Sequence, residues 1–307
     1  MNCRLIAFDL DGTLLDTEKR IPEENLRALY AAAKRDVLLV PATGRILRGI
    51  PPVLRELPFL RYYILSNGAA VYDTREEKTL CRGDIPLDLT LRVMDYLDTL
   101  PVLYDCYQND VGWMSQAMFE QAPAYFVREP QVLKMVEQLR IRVPDLKQTL
   151  REHGEPVQKI QFFFRPADNA LRLETIAHFS ERFPELCATS SISNNVEVNS
   201  ALAGKGNGLL ALCRALGIDP ADCMAFGDGS NDISMLRAAG RGVAMGNAGE
   251  DVKAAADAVC ESNLESGVAK EIMRVLGNDC AIRYETRPPY SWAVRWPVLL
   301  LGTLSGR

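Results

Sequence analysis

The sequence predicts an α/β protein: a doubly wound parallel sheet with a second, α+β domain inserted into it. Three observations carry that expectation. Short apolar runs alternate with amphipathic stretches toward both ends of the chain, the alternation lapses between about residues 82 and 191, and the apolar runs end in loops rich in Asp, Thr and Gly. Leu5-Ile6-Ala7-Phe8 opens into Asp9-Leu10-Asp11-Gly12-Thr13, the pattern of a buried strand leading into a glycine-containing loop. Pro22-Glu23-Glu24 then leads Leu26, Leu29, Tyr30 and Ala33 at helical spacing, with proline in the first turn. Val37–Val40 reads as a second buried strand ending at Thr43-Gly44-Arg45, a helix follows over about 47–57, and Tyr62-Tyr63-Ile64-Leu65 is a third strand ending at Ser66-Asn67-Gly68. Strand and helix alternating through short links make a parallel sheet.

Residues 82–191 mix helical stretches with strand-like pieces such as the alternating Val157-Gln158-Lys159-Ile160-Gln161-Phe162. They read as the inserted α+β domain, which splits the core into 1–81 and 192–280. From Val196-Glu197-Val198-Asn199 onward the core pattern is expected to return, with a helix over about 205–216, a strand over 223–226, a helix over 233–239 and a strand near 242–245. Residues 281–307 hold Trp292, Trp296 and three prolines without an amphipathic period, and predict an irregular tail.

Composition narrows the function. The 307 residues are 48% hydrophobic and 24% charged, ordinary for a globular chain of about two domains. Lys and Arg number 35 against 40 Asp and Glu, a net charge of −5. A nucleic-acid binder shows a basic stripe and a membrane-surface protein a polybasic block, and neither is present. No secretory signal opens the chain and no apolar run reaches the roughly 18 residues of a membrane span, so a cytoplasmic location is expected. Eight cysteines are scattered without a C-x-x-C pair, the pattern of reduced core thiols. His153 and His178 are the only histidines, too few for most His-based metal sites or a Ser-His-Asp hydrolase. Chemistry therefore rests on carboxylates.

In open α/β sheets ligands bind beyond the carboxyl ends of the strands. Four motifs are predicted at such junctions: Asp9-Leu10-Asp11-Gly12-Thr13, Thr43-Gly44-Arg45, Lys205 at a helix start, and Gly227-Asp228-Gly229-Ser230-Asn231-Asp232. Crowded carboxylates call for a hard cation, and oxygen ligands suit Mg²⁺. An anion then docks where metal, Lys205 and backbone amides face it, an arrangement suited to a phosphate ester. Asp9 is placed to attack phosphorus and Asp11, two residues on and on the same face of an extended chain, to handle the proton. Thr43 and Lys205 meet the phosphoryl oxygens. Asp228 completes the metal site, with Asn231 and Asp232 as ligands or supports. Singly, each motif is an ordinary turn, helix cap or surface lysine; their joint occurrence in order is what carries weight.

Phe8-Asp9-Leu10-Asp11-Gly12-Thr13-Leu14-Leu15, Thr43-Gly44-Arg45, Gly204-Lys205-Gly206 and Gly227-Asp228-Gly229-Ser230-Asn231-Asp232 resemble the four motifs of the haloacid dehalogenase-like superfamily, in its Cof-type branch of metal-dependent phosphatases with a large inserted cap. Ser66-Asn67-Gly68-Ala69, Val243–Ala248 and Ser262–Ala269 add to the likeness, which spans residues 3–276. The resemblance implies a Rossmann-like core, a mobile cap, an Mg²⁺ cofactor, and hydrolysis of small phosphate monoesters, often sugar phosphates. It implies Asp9 and Asp11 as the catalytic pair, and a metal held by Asp9, the Asp11 carbonyl and Asp228. Leu10, Thr43, Gly44, Lys205 and Asn231 would surround the phosphate, with Arg45 and Asp232 behind them. Gly206-Asn207-Gly208 is more glycine-rich than the family pattern, which implies a looser helix start. A phosphomutase would use the same core, and a non-catalytic binding module could keep the fold; the complete set Asp9, Asp11, Thr43, Lys205 and Asp228 favours an enzyme. Tyr107-Gln108-Asn109-Asp110 and Gly112-Trp113 form a polar and aromatic stretch that either reads the leaving group or, through Trp113, packs inside the insert.

Overall fold

A computed structural model describes residues 3–277; the expected tail over 281–307 lies outside the described residues. The chain opens with β1 (Leu5–Phe8), α1 (Glu23–Ala33), β2 (Leu38–Pro41), α2 (Pro52–Arg55) and β3 (Tyr62–Leu65). The helix anticipated over 47–57 is broken into a 3₁₀ turn at Leu47–Gly49 and the four-residue α2, because Pro51 and Pro52 supply no N–H to continue it. The third expected strand, β3, meets β2 through a single parallel bridge, Ala42 to Ile64. Its main partner is β4 (Ala70–Asp73), which with β5 (Lys78–Arg82) forms a small antiparallel sheet.

The insert follows: α3 (Leu87–Leu97), β6 (Val102–Gln108), β7 (Val111–Ser115), α4 (Gln116–Tyr125), α5 (Pro130–Leu139), β8 (Arg140–Val143), α6 (Leu146–His153), β9 (Lys159–Phe164), α7 (Asn169–Arg182), β10 (Leu186–Thr189) and β11 (Asn195–Ser200). Six of these strands make one sheet in the order β10-β11-β9-β6-β7-β8, antiparallel except for β7 with β8. Strand alternation sorts the residues by face. Tyr104, Cys106, Ile160, Phe162, Val196 and Val198 pack one face against helix residues such as Val93, Leu150 and Phe179. Leu103 and Phe163 on the other face sit under α4 and α5 with Tyr125, Phe126 and Val136.

Strand β11 corrects an expectation. Residues from 192 on were assigned to the core, yet β11 pairs antiparallel with β9 and with β10 in the insert's sheet. Val196 and Val198 complete that sheet's apolar face, leaving Glu197 and Asn199 for the opposite face, which the core covers.

The chain then returns with α8 (Lys205–Leu216), β12 (Cys223–Gly227), α9 (Ile233–Ala238), β13 (Arg241–Ala244), α10 (Glu250–Ala254), β14 (Ala258–Val259) and α11 (Gly267–Leu276). The core sheet is all parallel in the order β14-β13-β12-β1-β2. Ile6 and Phe8 face a layer holding Leu29, Leu54 and Ile272, while Leu5 and Ala7 face Leu209, Leu212 and Met235. Apolar layers on both faces make this a doubly wound, Rossmann-like core. The winding reverses at β1, so a crevice opens between the β1 and β12 ends. Phe8 lies level with Phe226 on one side and Pro41 on the other, which puts Asp9, Thr43 and Asp228 on one rim. Among the described residues no helix is long and apolar enough to cross a membrane, and the described cysteines are free.

Candidate active site

The loop after β1 is fixed by its own backbone and by the far end of the chain. The Asp9 amide donates to Phe226 O (3.0 Å), and Leu15 N donates to Leu10 O (2.9 Å). Asn247 Nδ2 donates to Gly12 O and Asn263 Nδ2 to Leu15 O, each at 2.9 Å. Gly12 has φ +86°, and a Cβ there would lie 2.3 Å from Asp228 Oδ2; only glycine lets this loop approach Asp228 so closely.

Lys205 begins α8 and is fully buried. Its ammonium donates to Asp9 Oδ1 and Asp232 Oδ1, both at 2.5 Å. Behind it, Gly206 allows α8 to seat against α9: a Cβ there would lie 2.3 Å from Ser234 O. The glycine-rich helix start, expected to loosen α8, instead permits close packing.

Asp9, Asp228 and Asp232 each offer an oxygen within 4.8 Å of the others. Asp232 Oδ1 takes the Lys205 ammonium and Oδ2 takes the Asp228 and Gly229 amides at 3.0 and 2.9 Å, so this side chain is spent on holding the loop. Thr13 Oγ1 donates to Asp228 Oδ1 at 2.7 Å. The second carboxylate oxygens of Asp9 and Asp228 accept no hydrogen bond among the described residues and keep their lone pairs for a cation.

The electrostatics are those of an acidic cluster short of positive charge. Burial pushes Asp9 well above the usual carboxylate range; Lys205 opposes this, while Asp232, Asp228 and Asp11 add repulsion. Burial likewise lifts Asp228 to about 6, against the Thr13 hydrogen bond and with Asp232 adding repulsion. Burial disfavours the Lys205 ammonium, yet Asp232 and Asp9 outweigh it and hold the group charged. The remaining carboxylate oxygens of Asp9 and Asp228, in a cluster short of positive charge, are hard donors of the kind a divalent cation takes.

Asp11 stands outside this cluster. Arg45 grips it bidentately, Nε to Oδ2 at 2.8 Å and Nη2 to Oδ1 at 2.7 Å, and Lys19 Nζ adds a contact at 2.7 Å. Burial works against the Asp11 carboxylate, but these cations prevail and hold it at about 2. Thr43 is buried and its Oγ1 accepts from the Arg45 amide at 3.2 Å. Asn231 Nδ2 donates to Asn67 Oδ1 at 3.0 Å.

The insert's polar face lies directly on these loops. Lys159 Nζ donates to Gly44 O at 2.8 Å, Asn67 Nδ2 to Glu197 Oε2 at 2.7 Å, and Asn199 Nδ2 to Ser66 O at 2.9 Å. Lys159 and Glu197 pair at 3.3 Å. Lys159, Glu197, Asn199 and Lys19 are not anticipated from the sequence; the one signal for the first three is a polar residue at alternate positions of otherwise apolar strands. Trp113 resolves toward packing, its ring set edge-on to His153 with centroids 5.0 Å apart.

The model of the haloacid dehalogenase-like hydrolase family matches residues 6–272. The chain belongs to this family. It is 29% identical to the 5-amino-6-(5-phospho-D-ribitylamino)uracil phosphatase YcsE of Bacillus subtilis, over 89% of this chain and 95% of that protein. It is 33% identical to the HMP-PP phosphatase of Serratia proteamaculans, over 80% of this chain and 84% of that one. A solved haloacid dehalogenase-like hydrolase from B. subtilis matches with TM-score 0.74 at 30% identity, covering 89% of this chain and 99% of that chain. As a haloacid dehalogenase-like phosphatase the chain is an enzyme, a phosphoric monoester hydrolase.

In such an enzyme the acidic cluster has to survive without substrate, and Lys205 is its internal cation. Lys205→Met, which keeps the length of the side chain, is expected to cost about 3–5 kcal/mol of stability in the metal-free protein, the effect of removing one partner of a buried ion pair. Urea unfolding at pH 7 measures it; a loss below about 1 kcal/mol would show the pair to be dispensable.

Proposed function

We propose that this enzyme hydrolyses small phosphate monoesters, sugar phosphates or metabolites of similar size, with Mg²⁺ and through an aspartyl-phosphate on Asp9. The observation that carries the reading is the state of Asp9: one carboxylate oxygen is held by buried Lys205, the other accepts no hydrogen bond among the described residues, and the side chain shares its cluster with Asp228. Asp9 and Asp228, with the Asp11 carbonyl, would hold the cation, which supplies charge neutralisation to the carboxylates and the phosphoryl oxygens.

The chain's own groups account for the remaining steps. The open Asp9 oxygen attacks phosphorus, and the bond from phosphorus to the ester oxygen breaks with its electron pair on the leaving group. Asp11 gives that oxygen a proton. The Asp11 carboxylate then takes a proton from water, whose oxygen attacks the phosphorus of the aspartyl-phosphate. Cleavage of the bond to Asp9 releases inorganic phosphate and restores the carboxylate. Lys205 and the Thr43 hydroxyl meet the charge that builds on the phosphoryl oxygens, as do backbone amides of the Leu10 and Gly44 loops. Asn231, steadied by Asn67, lies on the phosphate side, and Arg45 and Asp232 position Asp11 and Lys205. The names of the relatives YcsE and HMP-PP phosphatase support a small phosphorylated metabolite as substrate.

Asp9→Asn keeps the shape of the side chain and removes the nucleophile, so turnover of a generic monoester such as p-nitrophenyl phosphate is expected to fall by roughly 10³-fold or more with the circular dichroism spectrum unchanged. Substantial residual turnover would remove the covalent step.

A carboxyl raised to about 6 binds a proton in the folded state that it would release on unfolding, so Asp228 weakens the metal-free fold as pH rises from its ordinary range through 6. Cation binding needs the carboxylate form and relieves that cost. The rise in Tm on adding Mg²⁺ is therefore expected to be small at pH 5 and to grow toward pH 7; a rise independent of pH would place the cation away from Asp228.

Asp11 must carry a proton to act as acid, whereas Arg45 and Lys19 hold it ionised. Lys19→Met removes one of these cations from an exposed position and raises the Asp11 pKa. The basic limb of the pH profile of kcat, which reports the group that must be protonated in the substrate complex, is expected to move to higher pH. An unmoved basic limb would detach Asp11 from proton transfer.

A further inference from the structure

The insert carries a cavity of about 380 Å³ at the end of its sheet remote from Asp9, a volume in the range of small-molecule pockets. β9 joins the two places: Lys159 at its start reaches Gly44 O, and Phe164 at its end lines the cavity. Five residues of strand separate them, about 17 Å, too far for one small phosphate ester to occupy both.

Three guanidiniums face this cavity, from Arg128 after α4, Arg165 after β9 and Arg172 in the first turn of α7. None has a carboxylate partner among the described residues. Arg165 lies over the Tyr125 ring at 5.2 Å. Arg172 bonds only neutral acceptors: Asn169 Oδ1 and Ser190 Oγ at 3.0 Å and Asn195 O at 3.5 Å. Burial without a counter-charge pulls the Arg172 pKa down. One acid lines the cavity, Glu129, and it accepts from Ser193 Oγ at 3.2 Å. The wall thus carries three positive charges against one negative. The fourteen-residue helix α7 begins here without a side-chain cap, adding the positive end of its dipole.

A second observation points to a ligand. Asn194 lines the cavity and is 5% exposed. Its Nδ2 donates to Tyr125 O at 2.9 Å and Phe164 O at 3.3 Å, which fixes the orientation of the amide, and its Oδ1 is buried with no partner. An unpaired buried acceptor costs about 1–3 kcal/mol, and a hydroxyl or N–H brought in by a ligand would satisfy it.

We propose that this cavity is a second binding site, distinct from the catalytic crevice, for a small phosphorylated compound that also carries a hydroxyl. The phosphate takes the arginines and the α7 terminus, and the hydroxyl donates to Asn194 Oδ1. β9 and β11 run from the cavity to the contacts on Gly44 and Ser66.

The test reads binding and is independent of catalysis. The metal-free protein is titrated with 2-hydroxyethylphosphonate, whose C–P bond a phosphate ester hydrolase does not cleave, while the amide NMR signals of Asn169, Ser193 and Asn194 are followed. A saturable shift is expected, its midpoint weakened about tenfold or more by Arg165→Glu or Arg128→Glu, both exposed positions, and unchanged by Arg92→Glu on α3. Ethylphosphonate, lacking the hydroxyl, is expected to bind about threefold or more weakly. Shifts confined to residues 9–13, 43–45 and 228–232, equal weakening by Arg92→Glu, or equal affinity for the two phosphonates would each overturn the proposal.

Discussion

Three carboxylates within 4.8 Å of one another in a buried crevice repel, and Lys205 offsets that repulsion by placing an ammonium between Asp9 and Asp232. Much of the core serves that contact. The parallel order of β12, β1 and β2 brings Asp9 and Asp228 to one rim, the glycines of α8 let the helix bring its first residue inward, and Asp232 turns its other oxygen to two backbone amides. One cation among three acids leaves the cluster underneutralised. A further cation would relieve part of the repulsion that the fold otherwise bears.

The insert meets this cluster with polar groups. Lys159, Glu197 and Asn199 are buried, and each bonds a core loop at Gly44, Asn67 or Ser66. Hydrogen bonds of this kind contribute about 1–3 kcal/mol each, enough to register the insert over the motifs. The apolar residues of the same strands are committed to the insert's own helices. The two parts therefore meet across a polar seam, which suits a surface that must also admit a charged substrate.

Much of the site was legible in the sequence because the chemistry dictates residue types locally. A carboxylate after a buried strand, a Thr-Gly pair after the next, and a Gly-Asp-Gly turn after β12 are visible as departures from apolar runs, and the crevice position follows from the doubly wound pattern. What could not be read is long-range. The Val196-Glu197-Val198-Asn199 alternation is the same whether the strand completes the insert's sheet or begins the core, and only its pairing with β9 decides. β4 and β5 are short and half exposed, with too little apolar content to stand out. Arg45 could be assigned a place near the site, but not its grip on Asp11, since that depends on a side chain crossing between two loops 34 positions apart.

That grip sets the chemical problem this protein has to solve. Asp9 and Asp11 stand two residues apart, yet their surroundings push them in opposite directions: Asp9, buried among acids, favours its proton, and Asp11, clasped by Arg45 and Lys19, gives its proton up. A nucleophile must be ionised and an acid must be protonated, so the proposed reaction requires both to be reversed. A divalent cation held as proposed by Asp9 and Asp228 would favour the Asp9 carboxylate, which is the first reversal. The second needs the guanidinium and ammonium to loosen from Asp11, and a substrate phosphate entering beside them competes for the same cations. On the proposed mechanism, metal and substrate together would reset both carboxylates. On that reading, the ionised nucleophile and the protonated acid come together only once cation and ester are both bound.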